Sequence, residues 1–206
     1  MTIHRLVLAT RNAGKIEEFR RILEEIAPGA IDLIGVDQFP ELGDVEETED
    51  SFRGNALLKA RTIAQATDLP AIADDSGLCV DAMNGSPGIY SARWAGVHGD
   101  DAANIEKVLG QLGDIPAGKR GARFTCVSAF AIPGGEETTE EGILQGEILM
   151  SPIGSNGFGY DPIFRPVGYD LSLAQLEAHT KDAISHRGQS LRAIAPRVAR
   201  MLDGLG

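Results

Sequence analysis

Four features of the chain, the last of them a loop together with the basic cluster that follows it, gather side chains whose types and spacing suit binding or cleaving an anionic ligand. The first is Thr10-Arg11-Asn12-Ala13-Gly14-Lys15, between the apolar run Leu6–Ala9 and a helical pattern. A strand end, a turn of small residues and a helix start bring backbone N–H groups to the positive end of a helix. That geometry binds anions, and Lys15 adds a mobile charge. It is not a Walker A loop, because the first glycine is missing and Ile16 replaces the Ser/Thr that would hold magnesium. An ordinary β-to-α turn with a solvated lysine shares the pattern. The second segment is Asp74-Asp75-Ser76-Gly77, expected at the carboxyl end of the strand Pro70–Ala73. Open α/β sheets place ligands at such ends. Adjacent strand residues face opposite sides, so one of the two carboxylates is expected to reach a given site. It could hold Mg²⁺ through oxygen, or simply close an Asx turn.

The third feature is acidic. Glu41 to Asp50 carries six carboxylates in ten residues, among them Glu46 and Glu47. Such a run is ordinarily a solvated face. If one glutamate met Asp75, a histidine-free oxygen site would result, suited to magnesium and poor for zinc. The fourth feature is a glycine-rich loop and the basic cluster that follows it. Phe158, Gly159, Tyr160 and Asp161 lie in a run that could close over a flat ligand with a ring stacked on it, or pack its aromatics into the core. Lys181, His186 and Arg187 form a basic cluster in an acidic protein and suggest anion or carbonyl recognition. Ser185 beside His186 is no evidence of a serine nucleophile, since adjacent residues rarely present both groups to one point.

The elements that must position these groups follow from periodicity. Ile16, Phe19, Ile22, Leu23 and Ile26 recur at helical spacing, and Ile31–Val36 reads as a second strand. Ser51 is a plausible N-cap for a helix burying Phe52, Ala56, Leu57, Ala60 and Ile63. Asp100–Leu112 reads as a further helix; Ala122–Ile132 and Glu140–Leu149 read as an antiparallel pair turning at Pro133-Gly134-Gly135. In the last helical pattern, Leu191 to Leu202, Pro196 predicts a kink or a fresh helix start. Alternation of strands and helices with a late β-pair predicts one α/β domain on a mixed sheet.

Composition bounds the partners. The 206 residues include 30 acidic and 19 basic, a net charge of −11. That excludes a duplex-wrapping or membrane-surface protein, which needs a basic face. No stretch approaches the ~20 apolar residues of a membrane span, and Cys79 and Cys126 read as reduced, buried thiols of a cytoplasmic protein.

Taken in order, LATRNAGKIEEF, EETEDSFRGNALLKA, AIADDSGLCVDAMNGSPGIYSARWAG, RFTCVSAFA, GFGYDPIF and KDAISHRGQSLRA resemble the inosine triphosphate pyrophosphatase family over nearly the whole chain. The resemblance implies a mixed β-sheet with flanking helices and two lobes around a deep cleft, residues 1–206 forming a single bilobal nucleotide pyrophosphatase domain, expected as a homodimer. It implies Mg²⁺-dependent hydrolysis of non-canonical purine nucleoside triphosphates (ITP, dITP, XTP) to monophosphate and pyrophosphate by water attack at the α-phosphorus. Residue by residue, Thr10, Asn12 and Lys15, within a turn that includes Arg11, Ala13 and Gly14, bind the triphosphate. Asp75 is catalytic base and metal ligand, Ser76 touches substrate, and Glu46 is preferred as the second metal ligand, with Glu47 the alternative. Phe158–Asp161 covers the base, and Lys181, His186 and Arg187 complete the pocket, Arg187 being expected to pair with O6. Arg11 and Gly54 depart from the family pattern. A pyrophosphatase for modified pyrimidines and a non-catalytic nucleotide sensor are the rival readings.

Overall fold

The opening apolar run folds as β1 (His4–Leu8), whose Leu6 and Leu8 are buried on one face and Val7 on the other, as strand geometry requires. In the computed structural model, which describes residues 3–204, it is followed by α1 (Ala13–Ile26), β2 (Ile31–Gly35), α2 (Phe52–Thr67) and β3 (Ala71–Val80). Then come α3 (Asp101–Gln111), β4 (Gly121–Ala131), β5 (Glu137–Ile148), β6 (Phe164–Pro166), α4 (Ala178–Ile184) and α5 (His186–Asp203). The strands form one six-stranded sheet in the order β2-β1-β3-β4-β5-β6. β1 runs parallel to both β2 and β3, whereas β5 and β6 are antiparallel, so the sheet is mixed as expected. β4 and β5 are neighbours joined through a turn in which Ile132 N–H donates to the Glu136 carbonyl at 3.0 Å. A link that short permits only antiparallel pairing.

The chain divides into two compact units. One comprises the residues up to Asp75, Cys126–Gly142 and those from Arg187 onward; the other comprises Ser76–Thr125 and Ile143–His186. In the first unit, alternation along the strands sorts the core into two clusters. Leu6, Leu8, Ile72 and Phe130 pack with Phe19, Ile22 and Leu23 of α1 and Leu191, Ile194, Val198 and Leu202 of α5. Val7, Ala71, Ala73, Val127 and Ala129 pack with Ala56, Ala60, Ile63 and Ala64 of α2. Helices therefore cover both faces, and small residues let α2 lie close to the sheet. In the second unit Leu78, Val80, Phe124, Leu144 and Phe164 pack with Val108 of α3, with Leu112 just past its end and with Tyr160. The buried Arg120 donates to the carbonyl of Leu112, the C-cap of α3, at 2.7 Å and to that of Ile115 in the following turn at 2.8 Å.

Two expectations are corrected. β3 does not stop at Asp74 but continues through Asp75, Ser76 and Gly77 to Val80. The carboxylates tolerate this because each meets a cation, and position 77 requires glycine, since a Cβ there would stand 2.2 Å from the Gly88 carbonyl oxygen. The second correction concerns Pro196: of the kink or fresh helix start expected there, the fresh start is excluded, because α5 runs through it without a break. Pro196 is exposed, while the apolar stripe on the opposite side of α5 is held in the core. Smaller differences lie at the ends, where β2 closes at Gly35 and β5 begins at Glu137, three residues early. Among the described residues no helix is long and apolar enough to cross a membrane. Replacing Pro196 with Ala restores a helical N–H and removes a ring clash. Set against the added freedom of the unfolded chain, a gain of about 2 kcal/mol is expected. A urea midpoint that rises at constant m-value checks it; an unmoved midpoint would mean the proline costs the helix nothing.

Candidate active site

In the first unit the functional groups are built around two consecutive buried carboxylates. Asp74 and Asp75 are both buried on β3, and strand alternation sends them to different partners. Lys15 Nζ lies 3.0 Å from the Asp74 carboxylate, and Arg187 Nη2 donates to Asp74 at 2.9 Å. The other arm of Arg187 is paired with the buried Glu18 of α1. Behind them, the Cys126 thiol reaches Asp74 at 3.7 Å, and Ser190 and Ser128 share a hydrogen bond at 2.7 Å. Burial alone would raise the Asp74 pKa, but the charges of Lys15, Arg187 and Lys59 outweigh it and hold the carboxyl far below the usual range. Burial and the Asp74 charge push the Cys126 thiol up to about 12. It is inert, as expected of a reduced core thiol.

Asp75 meets α2 instead. Lys59 Nζ lies 3.0 Å from Asp75 and 3.1 Å from Glu47, and Asn55 donates to Asp75 at 3.3 Å. Burial pushes the Asp75 carboxyl up to about 6, against the pull of Lys59 and Lys15 and with a further push from Glu47. Lys59 is held above its ordinary value because Asp75, Asp74 and Glu47 together outweigh its burial.

The acidic run is not merely a solvated face. It has no regular structure from Leu42 to Glu49, yet the Glu49 N–H donates to the buried Asn55 at 3.0 Å and Glu47 pairs with Lys59. Gly54 allows this approach, since a Cβ there would meet Glu49 Cβ at 2.6 Å. Glu46, the preferred ligand from sequence, is exposed; Glu47 is the glutamate brought to the lysine that binds Asp75.

The anion turn takes the expected local form. Asn12 caps α1 by accepting the Lys15 N–H at 3.0 Å, and Thr10 Oγ1 accepts the Asn12 N–H at 3.2 Å. Ala13 and Gly14 already belong to the helix. Arg11 turns away onto Asp44 at 2.9 Å and the Leu42 carbonyl.

In the second unit the glycine-rich loop is pinned by charge. Asp161, buried, accepts the Phe158 N–H at 2.9 Å and pairs with the buried Lys181 at 2.5 Å, whose ammonium lies 4.9 Å from the Phe158 ring centroid. A Cβ at Gly157 would stand 2.0 Å from that Asp161 oxygen, and its φ of +75° also favours glycine. Gly159 donates to Asp101 at 2.7 Å, and the Tyr160 hydroxyl donates to the Ser91 carbonyl at 2.9 Å. Tyr160 is thus a core residue, which leaves the half-buried Phe158 as the ring available for stacking. The His186 ring is stacked on Phe124, centroids 4.7 Å apart and planes within 9°. Ser76 is half-buried, one residue beyond Asp75 in β3.

Sequence reasoning missed Glu18, Asn55, Lys59 and Asp101. The legible signal for the α2 pair was the i, i+4 spacing of Asn55 and Lys59 beside the apolar stripe; Lys15 and Glu18 of α1 stand three apart in the same way. Asp101 had no such signal. As donors, Asp75 and Glu47 offer carboxylate oxygen alone, already sharing one cation in Lys59. Among the described residues no three His, Cys, Asp or Glu side chains are grouped as a metal cage. That set fits a hard cation such as Mg²⁺, which is bound through one or two carboxylates plus water and substrate phosphate.

Arg187→Ala removes the countercharge of two buried carboxylates. A loss of about 3–5 kcal/mol is expected, read as a lower denaturant midpoint; a loss under ~1 kcal/mol would mean that Asp74 and Glu18 find other partners.

The comparisons with known proteins agree with one another. The family model described as the Ham1 family matches residues 6–197. A dITP/XTP pyrophosphatase of Streptomyces coelicolor is 54% identical over 198 residues, 96% of this chain and 98% of that protein. A dITP/XTP pyrophosphatase of Nocardia farcinica is 50% identical over 203 residues, 98% of each. The solved structure of the Staphylococcus aureus Ham1 protein is 41% identical, with a TM-score of 0.82 over 96% of this chain and 99% of that one.

Proposed function

The chain belongs to the Ham1 family, and from that premise we propose that it hydrolyses dITP, ITP and XTP to the nucleoside monophosphate and pyrophosphate. The observation that carries the reading is the buried pair Asp74–Asp75, one carboxylate bound to the lysine of an anion-binding helix start and the other left with a raised pKa. In this reading Asp75 orients a water and takes its proton. The water oxygen bonds to the α-phosphorus as the bond from that phosphorus to the bridging oxygen breaks, and pyrophosphate leaves. Thr10, Asn12 and Lys15 hold the departing phosphates at the positive end of α1. Asp75 and a glutamate of the 46–47 pair would hold Mg²⁺, which when bound would neutralise phosphate charge. Glu47 is favoured over Glu46 because it shares Lys59 with Asp75.

Arg187 acts through Asp74 in this account, rather than as the O6 donor expected from sequence, because both of its terminal nitrogens face carboxylates. Phe158, Lys181 and His186 are the residues assigned to the base. The two compact units are taken as the lobes of one nucleotide pyrophosphatase domain, acting as a homodimer on free nucleotides in the cytoplasm.

The test is pyrophosphate release from dITP, ITP, XTP, GTP and ATP, with Mg²⁺ and with chelator. Release from dITP and XTP ahead of GTP and ATP, lost with chelator, is expected. Orthophosphate instead would move attack to the γ-phosphorus, and persistence of intact triphosphate would favour a sensor. Asp75→Asn should lower turnover ~10²–10⁴-fold, the usual worth of general-base help, and near-normal turnover would remove Asp75 from that role. Between Glu47→Gln and Glu46→Gln, the former should raise the Mg²⁺ concentration needed for half-maximal rate; the reverse order restores Glu46 as the ligand.

A further inference from the structure

We propose that Asp101, on the first turn of α3, is a positioning residue that holds the Phe158–Asp161 loop in its ligand-ready form. The inference rests on the reading above that this loop covers the nucleobase. Asp101 Oδ2 accepts the Gly159 N–H at 2.7 Å, a charge-assisted bond across 58 residues of chain. Its carboxylate is not needed to cap the helix. Asp100 is the N-cap and accepts the Ala103 N–H at 3.1 Å, so Asp101 is free to reach outward to the loop.

The loop needs such a tether because of its glycines. Gly157 and Gly159 both sit at positive φ, and glycine backbone is the most costly to order. The neighbouring anchors fix other groups: Asp161 takes the Phe158 N–H and Lys181, while Tyr160 binds the Ser91 carbonyl through its ring hydroxyl. Asp101 takes the peptide group between Phe158 and Gly159, the one that sets the direction of the Phe158 ring's own backbone. Without it the loop must order upon binding, which costs affinity more than it costs chemistry.

The experiment compares wild type, Asp101→Ala and Asp101→Asn by steady-state pyrophosphate release from dITP and by amide hydrogen exchange at Gly159. Both variants lose the acidic charge in the first turn of α3, whereas Asn keeps an oxygen that accepts the N–H. Asp101→Ala is expected to raise KM about tenfold, the effect of one lost hydrogen bond to a charged group, with kcat changed less than about threefold. Gly159 exchange should quicken in parallel, and Asp101→Asn should recover most of both. A wild-type KM in Asp101→Ala overturns the proposal, as does an Asp101→Asn variant as impaired as the alanine one, which would trace the effect to helix charge. If the wild type releases no pyrophosphate from any purine triphosphate, the functional reading itself fails. If the wild type is active and the variants match it, only the role of Asp101 fails.

Discussion

Two ionised carboxylates on consecutive residues of a buried strand are the constraint to which the first unit answers. Moving an unpaired carboxylate out of water is prohibitive, so Asp74 and Asp75 can occupy β3 only if cations arrive from other elements. Because side chains alternate, one cation cannot serve both equally. α1 and α5 supply Lys15 and Arg187 to Asp74, and α2 supplies Lys59 to Asp75. The three helices are therefore fixed by two separate forces, an apolar stripe against the sheet and a charge held at its buried edge. The same arrangement separates the chemistry of two otherwise identical groups. Asp74, with two cations on it, is locked as an anion, while Asp75, with one lysine shared by Glu47, retains basicity.

The second unit solves a different problem with related means. Its loop bends tightly through glycines and is then held by charge. Glycine at 157 admits the Asp161 carboxylate, and that carboxylate with Lys181 then fixes the backbone that glycine had loosened. Tyr160 is given to the core, and Phe158 is kept at its edge with an ammonium beside its ring.

Much of this was legible in the residues. Strand and helix periods located β1, α1, α2, α3 and β4, and Ser51 caps α2 as its place before the helical pattern suggested. The anion turn and the carboxylate pair were visible as types at a spacing. What escaped had a physical reason. Asp74-Asp75-Ser76-Gly77 has the composition of a turn and becomes strand because its charges are met by residues 15, 59 and 187, which no local window contains. Pro196 breaks helices in isolation but not one whose far side is buried in a formed core. The choice between Glu46 and Glu47 depends on which way an irregular segment faces, and that is decided by Asn55 and Lys59. The pairing of Arg187 with Glu18 and Asp74 was hidden because both partners are far away in sequence.

The alternation of β3 also limits how the gene can change length. Deleting or inserting one residue between Ala71 and Ala73 would turn every later side chain of the strand to the opposite face. A deletion would move the second carboxylate into the place that faces Lys15 and Arg187, an insertion would move the first into the place that faces Lys59, and in either case Gly77 would no longer meet Gly88. Substitutions can be sampled one at a time along this strand, but an indel takes both acids away from their own partners in a single event. Tolerated length variation must therefore fall outside it, in connections such as the turn at residues 113–119, where no residue of either charge cluster lies.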